Sequence, residues 1–173
     1  PLAMRRLTFS SVNRAFGRAL KTSTMIFTVI IGAMIFGYYL TITRVPHQIN
    51  ESISDMSISR WTVMVIFVLI YLVLGFFMDQ IAIFTLTLPI TFPVAMALGF
   101  DPIWFGVLII KTAEIGLCTP PLGLNVFVAS GAAGESVETT FKGVTPFVLM
   151  DIVVLMLILF IPAISTFLPS LMQ

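Results

Sequence analysis

The chain has 173 residues, of which 58% are hydrophobic and 10% are charged, and its formal net charge is +1. Soluble domains carry roughly 25% charged residues, and about half of a globular surface must meet water. Composition therefore excludes a water-soluble fold, and the near-neutral charge gives no basis for nucleic-acid binding. We expect an all-α integral membrane protein, a multi-span helical bundle with the lipid bilayer as its solvent.

The first 22 residues are predicted to form a basic amphipathic helix at the membrane surface. They contain no acidic residue and five cations: Arg5, Arg6, Arg14, Arg18 and Lys21. Apolar residues recur at helical spacing between these cations, and the alternative is a solvated cytoplasmic loop. In both cases the basic cluster places this end in the cytoplasm. Because the chain opens on proline and shows no signal peptide, we expect a fragment of a longer protein.

Two segments are predicted to cross the membrane once each. Residues 24–43 carry no charge over 20 positions, which matches the roughly 20 residues that a bilayer core of about 30 Å requires. Residues 44–60 are polar and, by alternation, periplasmic. Residues 144–168 form the last span, with Asp151 inside it, so that the C-terminus is expected on the periplasmic side.

Two apolar segments, residues 61–77 and 81–100, flank Asp79. If both are full spans, Asp79 caps a turn at the interface; if they form a re-entrant hairpin, it lies near the membrane middle, where ionisable groups are costly and usually functional. Length does not decide, because 17 residues reach about 26 Å as a helix. Three residues that disturb regular spanning helices favour the hairpin: Gly75, Pro89 and Pro93.

Residues 102–133 are predicted to form a broken helix. As one straight helix they would run to about 48 Å, too long for one span, yet they are too few for two. Pro120-Pro121 has no backbone N–H, so the carbonyls of Gly116 and Leu117 lose their helical partners. Thr119 and the first of these prolines precede a proline and should be extended.

Interrupted backbone of this kind cannot face lipid, so it must be buried in protein or line a wet cavity. The first half-helix would end in free carbonyls that suit Na⁺, and the second would begin with free N–H groups that suit a carboxylate. Gly116 and Gly123 would permit unusual backbone angles, and Thr119 and Asn125 offer further oxygens. Such discontinuous helices mark ion and substrate sites in secondary transporters. A proline kink satisfied by neighbouring helices remains the alternative.

Charged residues within the apolar segments have simpler explanations. Lys111 and Glu114 share a helix face and are expected to pair, as a structural ion pair or in a coupling role. Asp151 is expected to bond to a neighbouring helix or to lie near an interface. The sequence contains no nucleophile elbow, zinc-protease motif or phosphate loop, so we predict no enzyme activity, and energy would come from an ion gradient or another subunit.

The segment Gly116–Val128 reads GLCTPPLGLNVFV and resembles the GLLTPPVGLNLFV-type signature of the large membrane subunit of tripartite ATP-independent periplasmic (TRAP) transporters, the DctM-like family. Further segments resemble that family in the same order: Ile31–Phe36, Leu74–Asp79, Leu98–Pro102 and Phe105–Val107. Three residues depart from the usual pattern: Gln80, Lys111 and Cys118.

The resemblance implies that the chain is the C-terminal half of an inverted-repeat, elevator-type transporter. Residues 1–60 would be an arm helix, a scaffold helix and a periplasmic loop. Residues 61–133 would belong to the moving transport domain, with the re-entrant hairpin at 61–97 and the broken helix at 102–133. Residues 134–173 would be a cytoplasmic loop and the last helix.

The resemblance also implies Na⁺-coupled uptake of an organic acid, such as a C4-dicarboxylate or a sugar acid, across a bacterial inner membrane. A periplasmic binding protein would deliver the substrate, and a small membrane subunit would complete the scaffold. The Na⁺ candidates are Asp79, Gly116 and Thr119. The substrate candidates are Thr119, Pro120, Pro121, Gly123 and Asn125. Another inverted-repeat ion transporter, or a membrane assembly subunit without transport activity, would fit the residues less fully.

Overall fold

The computed structural model describes residues 9–45, 47–49, 51 and 58–171, and every regular element in those ranges is a helix. The helices are α1 (Phe9–Ile42), α2 (Arg60–Phe77), α3 (Gln80–Ala97), α4 (Pro102–Cys118), α5 (Leu124–Ala133), α6 (Val137–Phe160) and α7 (Ala163–Ser170). By length and composition α1, α2, α3 and α6 can each cross a membrane. The predicted all-α, multi-span class is therefore confirmed. Arg5 and Arg6 of the basic segment lie outside the described residues.

The described part of the basic segment, from Phe9 on, and the first span form one helix. α1 runs without interruption over 34 residues, about 51 Å, so it is much longer than a bilayer core. It packs chiefly against α3, and few of its residues are buried. α1 and α3 approach closely at Gly37, where an added Cβ would lie 3.5 Å from the ring of Pro89.

Helix starts follow the capping chemistry written in the sequence. Asp101 accepts hydrogen bonds from the N–H groups of Ile103 and Trp104 at 2.8 and 2.9 Å, and proline follows it at the first helical position of α4. Ser136 caps α6 in the same way. α3 continues through Pro89 and Pro93. These prolines were expected to disturb a regular helix, but they do not interrupt it.

α4 is the central helix of the fold and contacts α2, α3, α5, α6 and α7. Its buried residues, Trp104, Phe105 and Leu108 among them, form the middle of the apolar core. The indole N–H of Trp104 donates to the carbonyl of Ile158 at 2.7 Å. That carbonyl has no helical partner because Pro162, four residues on, lacks an N–H. The indole therefore satisfies a group that would otherwise be buried without a hydrogen bond.

Candidate functional site

Asp79 joins α2 to α3. α2 ends at Phe77, and Met78 after it is extended. Asp79 starts α3 by accepting hydrogen bonds from the N–H groups of Ile81 and Ala82 at 3.0 and 3.2 Å. Both bonds go to Oδ1, and no hydrogen bond to Oδ2 is formed within the described part of the chain. The side chain is exposed. One carboxylate oxygen therefore fixes the helix start, and the other is available to a ligand.

Polar side chains tie α2 and α3 together. The hydroxyl of Tyr71 lies 2.7 Å from the hydroxyl of Thr87 and 2.8 Å from that of Thr91, and the tyrosine is fully buried. These bonds pair the two helices as a hairpin around Asp79. Each arm has 18 residues and could also cross a membrane alone. That the hairpin is re-entrant therefore stays a prediction.

The helix expected across residues 102–133 is interrupted. α4 ends at Cys118, α5 begins at Leu124, and the residues between them form no helix. Thr119 is extended, with φ −102° and ψ 142°, because proline follows it. The peptide bond between Pro120 and Pro121 is cis. This interruption is a true break in the helix rather than a kink, as the sequence predicted.

The carbonyls before the break are only partly free. The carbonyl of Gly116 has lost its α-helical partner, as expected, but it accepts the N–H of Thr119 at 3.1 Å, so the expectation that it would be free is wrong. The Thr119 hydroxyl donates to the carbonyl of Ile115 at 2.6 Å. For the carbonyl of Leu117, neither Pro120 nor Pro121 can donate, so its helical hydrogen bond is absent, as expected.

α5 begins with unsatisfied donors. Gly123 has φ 55° and ψ 62°, a left-handed conformation that glycine adopts at low cost. No side chain caps this helix, so the N–H groups of Leu124 and Asn125 point out of its first turn without a capping partner. Phe141 of α6 lies over the turn, since a Cβ added to Gly123 would be 2.9 Å from its ring.

The two interruptions lie at one level of the structure because of a glycine contact. A Cβ added to Gly75 of α2 would be 2.8 Å from Cα of Gly116 in α4. Phe67 also contacts Phe105, with ring centroids 6.4 Å apart, so α2 and α4 run parallel. Asp79 comes four residues after the first glycine, and the break begins three residues after the second. The C-terminal ends of α2 and α4 therefore both lie beyond the point where Gly75 and Gly116 touch, which we call the crossing point of the two helices.

This contact explains residues that sequence analysis interpreted differently. Gly116 is helical and has no positive φ, so the expectation of an unusual backbone angle there is wrong, whereas the same expectation for Gly123 is confirmed. Gly75 and Gly116 are small so that two backbones can touch. Small residues on facing membrane helices were the signal that could have found this contact.

The side chains at the break are exposed or half-buried. Pro120, Pro121 and Asn125 are exposed, and Thr119 is half-buried. The Asn125 amide nitrogen lies 3.9 Å from the sulfur of Cys118, a contact that spans the break. The amide oxygen is left to other partners. Polar backbone and side-chain groups therefore remain accessible at the break between the apolar helices α4 and α5.

Lys111 forms the expected ion pair and one more. Its ammonium lies 3.1 Å from a carboxylate oxygen of Glu114 and 2.7 Å from one of Asp151. The second bridge joins α4 to α6 and confirms that Asp151 bonds to a neighbouring helix. Lys111 lies two helical turns before the break, on a different part of α4 from Gly116 and Thr119.

A sequence profile described as "Tripartite ATP-independent periplasmic transporter, DctM component" matches residues 2–164. This chain belongs to the DctM family. The resemblance inferred from the residues around the paired prolines is thereby confirmed.

Over the aligned regions, about a third of the residues are identical between the chain and its curated DctM-family relatives. It is 36% identical over 150 residues to the C4-dicarboxylate TRAP transporter large permease protein DctM of Pseudomonas aeruginosa, covering 87% of the chain and 35% of the relative. It is 32% identical over 163 residues to the isethionate TRAP transporter permease protein DctMQ of Oleidesulfovibrio alaskensis, covering 94% and 26%. It is 32% identical over 168 residues to the sialic acid TRAP transporter permease protein SiaT of Haemophilus influenzae, covering 97% and 27%.

These DctM-family relatives are named as permeases and not as enzymes. The chain spans only about a third of their length or less. It therefore corresponds to one part of a DctM-family permease, and it carries both helix interruptions described above.

Proposed function

We propose that this chain is part of the large membrane subunit of a Na⁺-coupled transporter that imports an organic anion across a bacterial inner membrane. The observation that carries the proposal is the glycine contact between α2 and α4. It holds Asp79 and the break after Cys118 beyond one crossing point. Carbonyl ends, a carboxylate and a helix N-terminus are thus gathered in one region, as ion and substrate sites of transporters require.

Na⁺ would bind oxygen atoms at the ends of α2 and α4. The candidates are the free Oδ2 of Asp79, the carbonyl of Leu117 and the hydroxyl oxygen of Thr119. The Gly116 carbonyl can contribute as well, because a carbonyl oxygen that accepts one hydrogen bond keeps a second lone pair. Hard cations prefer such oxygen ligands, and helix C-termini favour positive charge.

The anionic group of the substrate would bind at the start of α5. The uncapped N–H groups of Leu124 and Asn125 can donate to it, and the positive end of the helix dipole favours it. Thr119, Pro120-Pro121 and Gly123 would shape the turn that brings the anion to these donors. The relatives' names include C4-dicarboxylate, sialic acid and isethionate, and each of these carries a carboxylate or a sulfonate.

Coupling follows if Na⁺ and substrate bind together in this region, because only ligands with different affinity for the two access states shift their populations. The hairpin and the broken helix would move as one body against a scaffold that includes α1. A small membrane subunit would complete the scaffold, and a periplasmic binding protein would deliver the substrate. The N-terminal end of α1 would face the cytoplasm and the C-terminus the periplasm.

Two aspartates of the chain allow a matched test. Asp79 and Asp101 each cap a helix through two N–H groups, but only Asp79 lies at the α2–α4 ends. In the full-length transporter, reconstituted in proteoliposomes with its binding protein, we expect Asp79→Asn to raise the Na⁺ concentration for half-maximal uptake at least tenfold. Asp101→Asn should leave that concentration unchanged.

Three results would contradict the proposal. One is an unchanged Na⁺ dependence in Asp79→Asn, which would remove this residue from the ion site. The second is uptake that is equally fast without the binding protein, which would favour a different inverted-repeat transporter. The third is absence of any uptake from a folded full-length protein, which would favour an assembly subunit.

A further inference from the structure

Helix α4 is buried on most sides but keeps one open face. Residues at helical spacing on that face remain exposed: Ile103 (38%), Val107 (37%) and Ile110 (49%). Glu114 continues the same stripe, with its side chain 51% exposed. This face, which we call the α4 open face, is therefore apolar over about two turns and ends in one acid, one turn further on.

The charge at the end of the α4 open face is not balanced. Lys111 is shared between Glu114 and Asp151, so the three side chains together carry one net negative charge. Each carboxylate uses one oxygen for the lysine, and the other oxygens form no hydrogen bond within the described ranges. Two basic residues elsewhere in the described ranges have partners of their own. Arg60 lies over the rings of Trp61 and Phe100, and Lys142 pairs with Glu138.

Neither lipid nor water accounts for this face. Lipid would suit Ile103, Val107 and Ile110, but an unbalanced carboxylate in the hydrocarbon is expensive and is normally paired. Water would suit Glu114, but it would leave an apolar stripe exposed to an aqueous cavity. A protein helix with an apolar ridge and one basic side chain covers the apolar stripe and also balances the charge of the carboxylate.

We propose that the α4 open face docks against a membrane-spanning helix of the same full-length polypeptide, outside residues 1–173, which presents one Lys or Arg to Glu114 and Asp151. The net charge of the triad fixes the sign of that partner residue. The curated relatives are about three times as long as the matched region, so such a helix has a source within the family. This interface does not depend on Na⁺ binding and is separate from the break after Cys118.

Photocrosslinking identifies the occupant directly. p-Benzoylphenylalanine is placed at Ile110 of the full-length protein in its native membrane, one turn from Glu114 and with the triad intact. After illumination, mass spectrometry should show an intramolecular adduct to a peptide outside residues 1–173, from an apolar segment that contains a Lys or Arg. An adduct to lipid, to the small subunit, to residues 1–173 or to no peptide at all would overturn the proposal.

Charge reversal tests the basic partner independently of geometry. Glu114→Lys should lower the amount of monodisperse full-length protein at least tenfold, and reversal of the crosslinked Lys or Arg to Glu should restore most of it. Glu138→Lys is the matched control, because Glu138 is 79% exposed beside Lys142, and it should keep the wild-type amount. Equal amounts of protein from Glu114→Lys and Glu138→Lys, or failure of the reversal to restore the protein, would refute the paired charge.

Discussion

Gly116→Ala places a methyl group between two helix backbones that already touch. Its Cβ would lie 2.7 Å from the carbonyl oxygen of Leu72 and 2.8 Å from Cα of Gly75. Ordinary contact begins at 3.4 Å, so α2 and α4 have to separate by the difference, about 0.7 Å. Both obstructing atoms belong to backbone, and no side-chain rotation can make room.

The expected cost follows from this geometry. Overpacking a close contact costs about 1–3 kcal/mol, and rigid backbone on both sides puts Gly116→Ala at about 2–3 kcal/mol. Gly17 is the control, because it is exposed in α1 with nothing within 4 Å of an added Cβ. Gly17→Ala should stabilise α1 by about 0.5–1 kcal/mol through lower chain entropy. The two variants therefore differ by about 3 kcal/mol, on the order of 100-fold in the ratio of folded to unfolded protein.

The assay is the loss of monodisperse full-length protein on heating in detergent, followed by size-exclusion chromatography, for the two variants side by side. Gly116→Ala should lose its peak well below the temperature for the wild type, and Gly17→Ala at or above it. The same separation of α2 from α4 should weaken Na⁺ binding. If both alanine variants melted together, the close glycine contact would not be present in the protein, and Asp79 and the break would not share one site.

Three further substitutions test other contacts of the structure, each by the same thermal assay on the full-length protein. Trp104→Phe removes the indole donor to the carbonyl of Ile158 and should destabilise by about 1–3 kcal/mol; an unchanged melting temperature would mean that water takes the place of the indole. Gly123→Ala forces a Cβ onto a left-handed residue and should cost about 1–2 kcal/mol, unless the turn after Thr119 is rebuilt. Lys111→Met leaves two carboxylates without their cation and should destabilise the protein, and a second change, Asp151→Asn, should recover part of the loss; no recovery would show that the bridge to α6 is not formed.

Features that depend on local chemistry follow directly from the amino-acid sequence. Its composition determined the solvent, because so few charged residues cannot cover a soluble fold. Pro120-Pro121 determined the break between α4 and α5, since two missing N–H groups and the restriction on Thr119 act within a few residues. The helix caps at Asp79 and Asp101 also act locally, through N–H groups two and three residues further on.

Which of these local features lie together depends on long-range packing. The contact of Gly75 with Gly116 joins residues that are distant along the chain, and neither glycine signals its partner. The same is true of the bridge from Lys111 to Asp151 and of the bond from Trp104 to Ile158. Propensity and capping act over one or two turns, whereas packing selects among many possible helix neighbours by shape and charge. A sequence pattern therefore predicts where a helix stops, but not which helix end will stop beside it.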